Sequence, residues 1–194
     1  AANHEHPALV KSLFALSNLV LQKRFGLFEM EGTSYRFPAM LMASALVGLV
    51  YLWGSRARGR AAGLSAALLL IAMPRYFYHA HLACFDAPIV FLFALCLYAY
   101  SRSIESEGAL WPVLTGVFFG LALDTKHNSW FLPFIVGLHA SWLVLRAWLF
   151  DKAEARAAKR AWLSLGCMAA LGPLVFYALW PWIWHDTWAR LGAY

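Results

Sequence analysis

Residues 61–101 read AAGLSAALLLIAMPRYFYHAHLACFDAPIVFLFALCLYAYS, two apolar runs parted by a short polar junction that carries a single carboxylate, Asp86. Each run has the character of a helix in lipid, and an ionisable group at such a boundary is costly unless it caps, pairs or reacts. The rest of the chain is alike. Of 194 residues, 62% are hydrophobic, 13% are charged and ten are tryptophan, the composition of an all-α, polytopic transmembrane helical bundle. Cys84, Cys96 and Cys167 stand singly without metal-type spacing, so packing is their expected role. The net charge of +6 is not gathered into a basic stripe among aromatics. That argues against nucleic acid as a partner and leaves orientation in a membrane as its use.

Polar punctuation divides the chain into six expected spans, at 37–53, 61–78, 87–101, 109–123, 129–149 and 161–183. A span takes about 20 apolar residues, so the third and fourth must borrow flanking residues or thin the bilayer. Residues 7–22 are expected as an amphipathic helix in the interface, with Leu9, Leu13, Leu16 and Val20 on one face and Lys11, Asn18 and Gln22 on the other. The whole of 1–194 reads as part of one transmembrane domain. In it, 1–36 ends an extracytoplasmic loop, 37–183 holds the spans and 184–194 starts the next loop. No initiating methionine precedes Ala1, and the chain is expected to be a piece of a longer protein.

Alternation of the spans puts loops 54–60, 102–108 and 150–160 on one side. Arg56, Arg58, Arg60, Arg102, Arg146, Lys152, Arg156, Lys159 and Arg160 crowd these loops, which marks that side as cytoplasmic. The opposite face collects His4, His6, His79, His81, His127 and His185 with Glu5, Asp86, Asp124, Lys11, Lys126 and Asp186; only His139 falls inside a span. Titratable groups gathered on one face describe an active-site surface.

Asp86 precedes Ala87-Pro88 and reads as a helix N-cap, which also makes it a positioned carboxylate. His4, Glu5 and His6 offer two imidazoles and a carboxylate; the i, i+2 pair converges on a divalent metal only on extended backbone, which Pro7 favours at His6. His79 and His81 share the i, i+2 spacing, but on a helix they point about 200° apart and cannot share an ion. In the short turn Asp124-Thr125-Lys126-His127-Asn128, Asn128 is expected to cap the next helix. Lys126 beside that helix start makes either an anion site or a lysine reaching for headgroups. Trp180, Trp182, Trp184 and Trp188 read mostly as an interfacial aromatic belt.

His6-Pro7-Ala8-Leu9-Val10-Lys11, then Pro74 and Asp86-Ala87-Pro88, then Gly120-Leu-Ala-Leu-Asp-Thr-Lys126 resemble in order and spacing the dolichyl-phosphate-mannose protein mannosyltransferases and the bacterial aminoarabinose transferases. Ala8 replaces the second proline of the usual His-Pro-Pro. The resemblance covers nearly the whole chain and implies an inverting GT-C glycosyltransferase. Such an enzyme takes a sugar from a polyprenyl phosphate and passes it to a protein or lipid acceptor at the non-cytoplasmic face of a membrane, here expected to be a bacterial inner membrane. By position, Asp86 matches the family's second acidic residue, with the principal aspartate expected upstream of Ala1. Lys11 and Lys126, with His127 beside them, would hold the donor phosphate. Glu5 matches an acidic position that in some members helps bind a divalent metal, with His6 as its neighbour.

Two other classes fit the composition. A proton-coupled transporter would use Asp86, Asp124 and the histidines as a relay, but transporter sites sit near the bilayer midplane and these groups lie at one face. A structural bundle subunit has no use for so many titratable groups at one surface.

Overall fold

The computed structural model describes residues 6–150, 152 and 154–193. All regular structure among them is helical. In chain order it comprises α1 (Leu9–Ser17), a π-helical turn (Asn18–Arg24), α2 (Glu31–Arg58), α3 (Arg60–Ala72), α4 (Pro74–Ala80), α5 (Asp86–Glu105), α6 (Leu110–Leu123), a 3-10 turn (His127–Trp130), α7 (Phe131–Leu149), α8 (Glu154–Leu179), a second 3-10 turn (Pro181–Trp184) and α9 (Thr187–Ala193). The chain forms two compact units: residues 9–94 make one, and 1–8 with 95–194 make the other.

All six expected apolar segments are helical, but they do not make six equal spans. Among the described residues, four helical runs are long and apolar enough to cross a membrane: α2, α5, α8 and the continuous run His127–Leu149. The second expected segment breaks at Met73 into α3 and α4, bent by 73°. Pro74 causes the break, because it supplies no N–H and forces Met73 into extended backbone. The fourth segment, α6, has 14 residues; at about 1.5 Å per residue it falls short of a hydrocarbon core about 30 Å thick. The short third segment does borrow its flanks and becomes the 20-residue α5.

Helix α7 shows why lipid is the required solvent. Leu132, Val136, Ala140 and Leu143 are buried along one stripe, while Phe131, Phe134, Leu138, Leu145 and Trp148 stand exposed at helical spacing on the other. A helix apolar all round needs an apolar surrounding.

In the first unit, α1 docks on α2 through polar groups. Pro38 inside α2 leaves the Ser34 carbonyl without its usual helix donor, and the Ser17 hydroxyl donates to that carbonyl instead, at 2.6 Å. Asn18 Nδ2 adds bonds to Ser34 Oγ at 3.0 Å and Glu31 Oε1 at 3.2 Å. This reverses the expected role of Asn18. It is 2% exposed and faces protein, whereas Leu16 is 57% exposed, as suits an interfacial helix whose apolar side meets lipid. Further along, α2 meets α3 where the backbones of Gly54 and Gly63 approach closely.

The second unit is organised on α6 and α8. Gly116 and Gly120 form a GxxxG stripe on α6 against α8. A Cβ at Gly116 would lie 2.4 Å from the Cys167 carbonyl oxygen, and one at Gly120 would lie 2.5 Å from Val175 Cβ. Close backbone approach of this kind drives helix association in lipid, where apolar burial alone gains nothing. The Ser164 hydroxyl lies 2.8 Å from that of Ser103, a buried polar link between α8 and α5. At the same end, Arg160 donates to the carbonyls of Ser103 at 3.1 Å, Glu107 at 3.1 Å and Gly108, and Arg156 pairs with Glu107 at 2.6 Å. Loops 102–108 and 150–160, expected on one side of the membrane, are joined there.

Candidate functional site

The junction between α4 and α5 is built by the bend. After Pro74 the chain makes two turns of helix, which end as His81 closes back on Tyr78. The segment 82–85 then turns into α5 at Asp86. Tyr76 fastens this corner to α2: its hydroxyl donates to the Ala43 carbonyl, and its ring packs on Ala43, Ala80 and Ala87. Three alanines at one contact let three helices approach closely.

Held in this way, the corner brings His79 Nδ1 within 3.2 Å of Asp86 Oδ2 and 3.9 Å of Cys84 Sγ. The side chains of His79 and Asp86 are 29% and 43% exposed. Asp86 stands in the first turn of α5 rather than ahead of it, where the positive end of the helix dipole favours a carboxylate. His81 turns elsewhere, as the helical geometry requires: its Nδ1–H donates to the Phe77 carbonyl at 2.7 Å, and its ring lies on that of Phe77. On sequence alone His79 is set only against His81, and Cys84 is expected to pack. The spacing His79-x4-Cys84-x-Asp86 was the signal available. Lys11 lies half-buried on α1 in this same unit.

In the other unit, α6 ends at Asp124, whose amide bonds the Gly120 carbonyl at 3.0 Å. Asp124 and Thr125 are fully buried. A buried carboxylate at the negative end of a helix is disfavoured twice over, by desolvation and by the dipole; on sequence it belongs to the titratable face, and its one expected use is in the proton relay of a transporter. Lys126 follows in extended backbone and directly precedes the run 127–149. The Ser129 hydroxyl donates to the Lys126 carbonyl at 2.8 Å and closes the turn. Asn128, expected as the cap, is instead exposed inside the 3-10 turn. His127 is exposed, with its ring 6.3 Å from that of His6. Glu5, the other expected metal ligand, lies outside the described residues, as does His4.

Beside His127 opens an apolar hollow of about 460 Å³, lined by Leu123, His127, Trp130, Pro173, Phe176 and Leu191. Next to it the tryptophans divide. Trp188 is 87% exposed, as an interfacial residue should be, but Trp180 is 3% exposed and packs between Phe176 and Trp182. Trp180 therefore belongs to the core and not to the belt. Arg190 covers the Trp182 ring at 5.2 Å.

The family described as Dolichyl-phosphate-mannose-protein mannosyltransferase matches residues 16–145. No curated protein and no solved structure matches the chain. The matched region takes in α2 to most of α7, with Asp86, Lys126 and His127 inside it. The chain is an integral membrane protein that belongs to the dolichyl-phosphate-mannose-protein mannosyltransferase family, membrane glycosyltransferases of the GT-C kind.

Proposed function

We propose that the protein transfers a sugar from a polyprenyl phosphate to a hydroxyl or amine of a protein or lipid acceptor, with inversion, at the periplasmic face of a bacterial inner membrane. The observation that carries this reading is the family match over residues 16–145. In the reaction the acceptor atom attacks the anomeric carbon opposite the phosphate. The bond from that carbon to the phosphate oxygen breaks, and the acceptor's proton passes to a carboxylate.

Asp86 contacts the acceptor group and takes up its proton. His79 beside it supports a fixed orientation of the carboxylate. Lys11, Lys126 and His127 offset the charge gathering on the departing phosphate. The hollow beside His127 is apolar enough to take isoprenoid units. Glu5 and His6 would hold a divalent cation near the phosphate.

The test is glycosyl transfer by the full-length enzyme carrying Asp86→Asn, with folding checked by circular dichroism. A lost general base or acceptor contact lowers turnover by about 10²–10⁴-fold. Wild-type turnover in a folded Asp86→Asn protein would return the residue to a structural role.

A further inference from the structure

The geometry points to a zinc-binding site formed by His79, Cys84 and Asp86. It goes beyond the transferase reading and does not depend on it. One imidazole nitrogen, one sulfur and one carboxylate oxygen all lie within 4.8 Å of one another. Around a tetrahedral zinc with ordinary bond lengths, nitrogen and oxygen ligands sit about 3.3 Å apart, and nitrogen and sulfur about 3.6 Å apart. The observed separations are 3.2 Å for His79 Nδ1 to Asp86 Oδ2 and 3.9 Å for Cys84 Sγ to His79 Nδ1. These two separations lie within a few tenths of an ångström of the zinc values, and the third, between Cys84 and Asp86, lies within 4.8 Å and closes as the Cys84 side chain turns to the ion.

The donor set selects the metal. Calcium and magnesium take oxygen ligands, whereas a mixed nitrogen, sulfur and oxygen set suits zinc. Cys84 Sγ now lies 3.7 Å from the His79 carbonyl; as a thiolate it would turn to the ion instead. Three protein ligands leave a fourth position, and all three residues are only half-buried, so that position opens to water or to an oxygen of a bound ligand. Asp86 gives one oxygen to the ion and keeps a second. The metal would clasp the end of α4 to the start of α5, a corner that Tyr76 already holds against α2.

The experiment uses the full-length protein in detergent, freed of metal with a chelator and titrated with cobalt(II) alone. One equivalent of cobalt is expected to give a near-ultraviolet thiolate-to-cobalt charge-transfer band that zinc bleaches. Cys84→Ala should abolish the band, while Cys167→Ala should leave it intact. His79→Gln should weaken binding by more than the about 10–100-fold of a lost supporting group. Absence of the band in the wild-type protein, its survival in Cys84→Ala, or wild-type affinity in His79→Gln would each overturn the site and leave a hydrogen-bonded His79 and Asp86 pair. The band reads binding and not turnover, so its outcome is separate from that of the transfer assay.

Discussion

The Tyr76 hydroxyl donates to the carbonyl of Ala43 over 2.6 Å and so ties the short helix after the bend to the long helix α2. That bond stands directly behind the corner carrying His79, Cys84 and Asp86. Tyr76→Phe keeps the ring on the alanine contact and removes only the hydroxyl. We expect a loss of about 0.5–1.5 kcal/mol, read as a fall in Tm of about 2–4 °C per kcal/mol for a chain of this size. An unchanged Tm would show that ring packing alone holds the corner.

The glycine stripe on α6 makes a sharper demand. Alanine at Gly116 meets the Cys167 backbone, which cannot rotate away as a side chain can. Gly116→Ala should therefore destabilise the protein by about 1–3 kcal/mol, the range for an overpacked core. Gly166 on α8 has open space around it, and Gly166→Ala should be neutral or stabilising by up to about 1 kcal/mol. Thermal unfolding of the two variants in detergent decides; equal stability would remove the close approach as a determinant of the fold.

Recognition of the donor phosphate by Lys11 and Lys126 is read by binding of a polyprenyl-phosphate sugar at several salt concentrations. A charge-assisted bond contributes roughly 1.5–3 kcal/mol, so Lys11→Ala and Lys126→Ala should each raise Kd by about one to two decades. Lys23→Ala, at an exposed position, controls for general membrane charge. Donor affinity in both variants equal to that of the control would place the phosphate elsewhere.

Sidedness follows from the arginine-rich loops. With Cys84, Cys96 and Cys167 replaced, a cysteine at Ala57 should resist an impermeant thiol reagent in intact cells, and one at Thr187 should react. Labelling at 57 with protection at 187 would invert the orientation and move Asp86 to the cytoplasmic face.

Much of this protein is decided by its sequence alone. Six apolar runs, four of them without a charged residue, must be helical in lipid, because unpaired backbone groups there are too costly for any open structure. The isolated carboxylate of Asp86 marks the start of one, but the break of 61–78 at Pro74 is not legible in the sequence, since Pro38 and Pro173 sit inside unbroken helices. The order of the His6-Pro7, Asp86-Ala87-Pro88 and Asp124–His127 segments sufficed to suggest the family that residues 16–145 match.

Tertiary structure decided the rest. Hydropathy is a sum over neighbours in sequence, and it cannot tell which side of an apolar helix meets protein and which meets lipid. Asn18 is buried while Leu16 faces out, and Trp180 joins the core while Trp188 does not. Nor does spacing show that the turn at 82–85 returns Cys84 and Asp86 to His79, since that depends on the backbone angles of the turn and on the bend at Met73. The chain carries the three side chains in plain view, but only the path between them brings them together.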